Sequence, residues 1–202
     1  MNLFNLSLRL NGFPIKEATQ TYKAIKKLND EDYKSSFYKQ RDAIVNYHLQ
    51  NNPFYKQLAG NANVKDWNSI PVITKLDLQQ PIENRLSKGF SIKECYINKT
   101  SGSSGTPFIF AKDKYCHAIT WSGFIERYSW YNLDFNRSKQ ARFYGIPLSK
   151  IAYYKERLKD VLSKRYRFSV FDLSDEQLEW NLNKFKHTTF DYINGYTSSI
   201  VQ

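Results

Sequence analysis

Cysteine is scarce in this sequence: Cys95 and Cys116 are the two such residues among 202. That is too few for the disulfide framework of a small secreted scaffold, so free thiols in a reducing cytoplasm are the expectation. The three histidines, His48, His117 and His187, lie far apart and share no ligand spacing with the cysteines, which leaves no zinc motif. A Cys116–His117 thiol–imidazole pair is disfavoured because adjacent helix positions point in different directions. Long apolar runs are missing too. In "MNLFNLSLRLNGFPIKEATQ" the residues Asn2, Asn5, Arg9 and Asn11 interrupt the chain well short of the ~18 apolar residues a membrane span needs, and no other window does better. There is no internal repeat and no low-complexity tract. Acidic side chains are outnumbered, nineteen against thirty basic ones, for a formal charge of +11. Such a balance favours anionic partners: nucleotides, nucleic acid or acidic membrane surfaces. No carboxylate pair suggests acid–base hydrolysis, since Asp172, Asp175, Glu176 and Glu179 read as helix-start and surface charges.

What is present is a globular composition, 41% hydrophobic and 16% aromatic, in a chain long enough to bury a core. The first third reads as helical. Ala18, Tyr22, Ile25 and Leu28 recur at three and four residues, and Phe37, Ile44 and His48 mark a second stretch; both faces are expected to pack inward. Asn52-Pro53 opens a short helix that Gly60 closes. Thr74 and Asp77 resemble a capping box that starts another.

From Cys95 the pattern changes. "CYIN" and "FIF" are β-prone runs on either side of "TSGSSGTP", which predicts strand, loop, strand. A helix follows from about Asp113 to Tyr131, with Ala118, Trp121, Ile125 and Tyr128 on one face. Then the order is βαβαβ: "ARFYGI" as strand, Ile151, Tyr154, Leu158 and Leu162 as helix, and the alternation of Arg165, Arg167 and Ser169 with Tyr166, Phe168 and Val170 as strand. A helix capped by Ser174 and Gln177 carries Leu178, Leu182 and Phe185, and "FDYING" is the last strand. The fold class is therefore α/β: residues 1–90 mainly helical, residues 91–202 a strand-loop-strand followed by a parallel sheet with right-handed crossovers. The ending "YTSSIVQ" reads as a helix that stops in its opening turn, the expected front part of a longer fold.

The loop concentrates function. Gly102 and Gly105 let the backbone approach a ligand closely, so that successive N–H groups can point at one anion. Thr100, Ser101, Ser103, Ser104 and Thr106 add hydroxyl donors, and Pro107 stiffens the exit. A flexible Gly/Ser linker is the competing reading. The spacing fits neither G-x-x-x-x-G-K-[ST] nor G-x-G-x-x-G.

"TSGSSGTP" resembles the signature loop of adenylate-forming enzymes, [Ser/Thr]-[Ser/Thr]-Gly-[Ser/Thr]-[Ser/Thr]-Gly-x-Pro. "IPVITKLDLQQ", residues 70–80, is similar to the Pro-x-x-Thr-Lys-x-Asp-Leu segment of the phenylacetate-CoA ligase branch and its relatives in capsular polysaccharide biosynthesis. "INGYTSSI", residues 193–200, looks like that branch's Gly-Tyr-x-Ser segment. The resemblance implies the large N-terminal domain of that fold, in incomplete form, and a reaction in which a carboxylate attacks the α-phosphate of ATP to give an acyl-adenylate and pyrophosphate. Mg²⁺ assists, and coenzyme A is a possible acceptor. Residues 100–106 would hold the pyrophosphate, and Gly195, Tyr196 and Ser198 would border the nucleotide and acyl pockets.

Two departures qualify what the resemblance implies. Phe108 stands where the motif often carries Lys, with Lys99 and Lys112 as partial substitutes. The family's aromatic-Gly-x-Thr-Glu segment, its ribose-binding Asp and its lid domain with a catalytic lysine cannot be placed on this sequence, so the expectation is a chain that is not a competent ligase by itself. A rival reading rests on Lys150, Lys155, Arg157, Lys159, Lys164, Arg165 and Arg167, interleaved with Tyr153, Tyr154 and Tyr166, as a basic nucleic-acid-binding face, although no stable nucleic-acid partner is expected. A non-catalytic scaffold is a third.

Overall fold

The computed structural model describes residues 3–100, 102, 105–145 and 150–201. In chain order the elements are α1 (Leu3–Leu10), α2 (Ile15–Lys26), α3 (Asp30–Asn51), α4 (Pro53–Ala59), α5 (Ile82–Arg85), β1 (Cys95–Lys99), β2 (Ile109–Asp113), α6 (Lys114–Ser129), β3 (Gln140–Phe143), α7 (Lys150–Leu162), β4 (Arg165–Phe168), α8 (Asp175–Lys186), β5 (Tyr192–Gly195) and α9 (Thr197–Ile200). The architecture is mixed α/β with two small sheets, an antiparallel pair β1–β2 and a parallel sheet in the order β4–β3–β5. The chain divides into two compact units: Gly12–Ser122, and Met1–Asn11 with Gly123–Gln202.

In the Gly12–Ser122 unit, α2 packs on the start of α6. Ile15, Ala18 and Ala118 are buried, Tyr115 donates its hydroxyl hydrogen to Thr21 Oγ1 at 2.7 Å, and the hydroxyls of Thr19 and Ser122 meet at 3.1 Å. Asp113 caps α6 by accepting from the Cys116 N–H. Beside them His117 stacks on Tyr96 with ring centroids 3.7 Å apart, and Phe13 closes the cluster. The expected α4 forms as read: Asn52 accepts from the Tyr55 N–H, Pro53 occupies the first turn, and Gly60 ends the helix with φ 57°. Asn52 also donates to the Arg85 carbonyl and to Ser87 Oγ, so one buried amide joins α4 to the end of α5.

Two expectations fail here. The face of α3 does not pack inward. Phe37 and Ile44 are each 52% exposed and no described residue of the helix is buried. Lys34, Lys39, Gln40 and Arg41 interrupt its apolar positions, so the stripe is narrower than burial requires. The helix is held instead by its ends, with Asn29 accepting from the Asp32 N–H and acids filling the first turn. Thr74 and Asp77 do bond, the Thr74 N–H and hydroxyl both donating to Asp77 Oδ2 at 2.7 Å. Residues 75–78 nevertheless make a turn, not a helix. Pro81 lies too close behind: it biases Gln80 away from helical geometry and leaves too few residues to repay nucleation.

In the other unit, βαβαβ is observed, with β3 central and both neighbours parallel to it. The sequence RYRF of β4 explains how two helices cover the sheet. Arg165 and Arg167 point one way, to Asp160 and Glu156 of α7. Tyr166 and Phe168 point the other way, to Trp180 and Phe185 of α8, with the Phe168 and Phe185 rings 5.0 Å apart. Period-two alternation thus places α7 and α8 on opposite faces, as expected when successive right-handed crossovers run in opposite directions along the sheet, β3 to β4 and then β4 back past β3 to β5. The core lies on the α8 side, around Ala141, Phe143 and Phe168 with Tyr166, Val170, Phe185 and Phe190. Only the Gln177 N–H end of the expected capping box at α8 forms; the Gln177 side chain bonds forward to Asn181.

Arg165 and Arg167 therefore do not belong to an exposed basic face. Arg167 is 5% exposed and Asp160 3%. Arg167 Nη2 lies 2.8 Å from Glu156 and 3.0 Å from Asp160. Burial opposes the charge on Arg167, but the bonds from Asp160 and Glu156 outweigh it and raise its pKa. With Tyr166 packed toward α8, the β4 part of the rival nucleic-acid reading is a strand's alternation folded inward, while Tyr153, Tyr154, Lys155 and Lys159 of α7 are exposed.

Candidate functional site

The hairpin β1–β2 sets the loop. Its register runs from Cys95↔Asp113 to Lys99↔Ile109, and the next pair extends it: the Thr100 N–H donates to the Phe108 carbonyl at 2.9 Å, and the Phe108 N–H donates to Thr100 Oγ1 at 2.9 Å. Thr100 is thus a fastener of the loop's neck, its hydroxyl oxygen already engaged. Gly102 and Gly105 take φ of 74° and 103°, values that L side chains rarely adopt. The Gly105 N–H donates to the Gly102 carbonyl at 2.8 Å, closing a tight turn inside the loop. A Cβ on Gly102 would stand 2.9 Å from Pro107 Cγ, whereas Gly105 has open space around it. Gly102 is required twice over, by conformation and by the proline; Gly105 is required by conformation alone. Thr106 is exposed at the bend. Ser101, Ser103 and Ser104 lie outside the described residues.

One cation at this neck was not anticipated. Arg85 donates from Nη2 to the Ile109 carbonyl at 2.8 Å and from Nε to the Gln80 carbonyl at 2.9 Å, with its guanidinium 5.7 Å from the Phe108 ring. Burial presses its pKa down, yet a guanidinium stays charged in a protein. A positive charge is therefore held beside the Phe108 ring from another segment. Lys112, one of the expected substitutes, has its ammonium 5.8 Å from the Phe110 ring. The missed signal was Arg85 itself, one basic residue among many, with nothing local to tie it to a loop twenty residues on.

Gly195, Tyr196 and Ser198 belong to the other unit, at the carboxyl end of β5. Gly195 crosses Phe143 of β3 so closely that an added Cβ would overlap the Phe143 carbonyl oxygen. The Tyr196 N–H donates to that same oxygen at 3.1 Å. Tyr196 is 55% exposed, with its ring 5.2 Å from Tyr144; Ser198 is exposed in the single turn of α9. Gly195 is a packing residue, and the side chain nearest to it that faces outward is Tyr196.

On the α7 side of the same sheet lie Arg142, paired in register with Arg167 and with Asn194, and Tyr192. Asn194 donates to the Tyr128 hydroxyl at 3.1 Å. Burial, with Tyr128 adding to it, pushes the Tyr192 phenol up to about 12. Burial, then the neighbouring Arg165 and Arg167, press Arg142 below its usual range.

No protein-family model matches the chain, and no curated protein or solved structure does. Among the described residues no helix is long and apolar enough to cross a membrane.

Proposed function

We propose that the chain binds a nucleotide polyphosphate through residues 100–107, as the nucleotide-gripping part of an adenylate-forming protein of the phenylacetate-CoA ligase and capsule-biosynthesis type. The observation that carries the reading is the pair of positive φ values at Gly102 and Gly105 inside a neck fastened by Thr100 and Phe108. A flexible tether has no need of such a fastened bend, whereas a bend with glycines at these positions can turn backbone N–H groups toward an anion. The Arg85 guanidinium adds positive charge at the neck.

In this reading the loop holds the departing pyrophosphate while a carboxylate attacks the α-phosphate of ATP, so its donors act where negative charge accumulates. Among the described residues no three His, Cys, Asp or Glu side chains gather as a metal site. Mg²⁺ would arrive with the nucleotide, held by its phosphate oxygens, its common mode with such substrates. Coenzyme A is the acceptor the family resemblance suggests, and by the same resemblance Gly195, Tyr196 and Ser198 would border the nucleotide and acyl pockets.

The reading is tested by calorimetric titration of pyrophosphate with Mg²⁺ into the wild-type chain and into Gly102→Val. Saturable binding by the wild type that the variant loses supports it. Equal heats from both, or none from the wild type, refute it.

A further inference from the structure

The sheet layer beneath α7 contains three guanidiniums and two carboxylates. Asp160 accepts from Arg165 and from Arg167, and Glu156 from Arg167. Both acids are thereby engaged. Arg142, standing beside Arg167 in the parallel register, is left over: its Nε is enclosed by the protein and has no hydrogen-bond partner. The Tyr144 ring lies 4.6 Å from the guanidinium carbon, and Asp160 attracts the charge without bonding to it, more weakly than Arg165 and Arg167 repel it. Arg142 is half-buried with its Nε enclosed, and a charge drawn out of water in this way is ordinarily paired. A third cation beside two others, without an anion of its own, is a poor choice for stability.

Its place in the fold gives it another use. Arg142 precedes Phe143 and Tyr144 at the carboxyl end of β3, the strand at which the order β4–β3–β5 reverses. Ligands of open parallel sheets bind beyond the carboxyl ends of strands where the order reverses. Here that end carries the Tyr144 and Tyr196 rings in contact at 5.2 Å, with Tyr196 exposed.

We propose that Arg142 is the anchor of an anion-binding site at the carboxyl ends of β3 and β5, taking the oxyanion of a carboxylate or phosphate group whose remaining atoms lie along Tyr144 and Tyr196. A planar guanidinium presents two parallel donors that match either oxyanion. The anion supplies the third negative charge that the layer lacks. Asp160 and Glu156 are the acids facing this layer from α7, and both are occupied by the β4 arginines, so neither competes for Arg142. The site stands independently of the phosphate loop, and it shares Tyr196 with the acyl side of the proposed function.

The experiment is a thermal-shift and calorimetric titration of the 202-residue chain with sodium benzoate and, separately, inorganic phosphate, each up to about 50 mM against sodium chloride of equal ionic strength. The wild type, Arg142→Met and Gly105→Val are compared. The expected result is a rise in Tm with at least one anion that is weakened about tenfold or more in affinity in Arg142→Met; Gly105→Val keeps the benzoate response and loses at most the part of the phosphate response that belongs to the loop. Benzoate active alone identifies a carboxylate site, phosphate active alone a phosphate site. Without anions Arg142→Met should melt no lower than the wild type, since the uncompensated charge is gone. The proposal is overturned if neither anion shifts the wild type, if Arg142→Met responds equally, if the response vanishes in Gly105→Val, or if Arg142→Met is less stable or unfolded without anions.

Discussion

Gly195 of β5 and Phe143 of β3 oppose one another across the parallel ladder with no room for a side-chain carbon between them. The glycine of the "INGY" segment is therefore fixed by packing of the sheet centre. Gly195→Ala should destabilise the chain by about 2–4 kcal/mol, because the obstacle is backbone and cannot rotate away. Urea denaturation measures this, and a cost below about 0.5 kcal/mol would show that the two strands are not so closely apposed.

The Asp160 carboxylate holds the buried Arg167 and the half-buried Arg165 at once. Asp160→Ala leaves both guanidiniums in the layer with only Glu156 to answer them. A loss of about 3–5 kcal/mol is expected, larger than for an exposed pair such as Lys159–Glu156, whose removal by Lys159→Ala should cost less than about 1 kcal/mol. Comparable costs for the two variants would contradict the burial assigned to Asp160.

Histidine sets the acid side of the stability profile. His48 and His117 both have pKa values pressed below the ordinary range by burial, with Lys112 adding to the effect at His117. A neutral His117 also accepts from the Trp121 indole N–H at 3.0 Å. Because the unfolded chain takes up these protons first, the contribution is fully present above the unfolded value near 6.5 and is lost as pH falls toward the lower folded values. Tm should therefore decline between about pH 7.5 and 5.5, and His117→Phe, which keeps a ring against Tyr96, should flatten the decline. An unchanged slope in that variant would exclude His117 as a contributor.

Much of the architecture was legible because its signals are local. Asn52-Pro53 and Gly60 bound α4 through caps that depend on neighbours one turn away. The alternation in "RYRF" declares a strand whatever surrounds it. What the alternation does not declare is which side is wet, and the arginines of β4 face a helix because Glu156 and Asp160, one turn apart in α7, arrive from another element. The same blindness explains α3, whose apolar spacing suggested a buried face that its interleaved lysines do not permit. In the loop, the motif marked Gly102 and Gly105, and their backbone conformations follow from that reading. Arg85 and Arg142 were missed because an arginine carries no sign in the sequence of what it will touch.

The central claim is that the bend from Thr100 to Phe108 is a built anion cradle. Equilibrium titration of ATP with Mg²⁺ into the wild type and Gly105→Val tests it most directly, since a Cβ at Gly105 meets no neighbour and disturbs only a φ of 103°. The account predicts one-to-one binding by the wild type and at least about a tenfold weakening in the variant, with the rest of the fold kept and any fall in Tm confined to the strain at position 105. Binding of equal strength by both proteins, or no binding by the wild type, would contradict it.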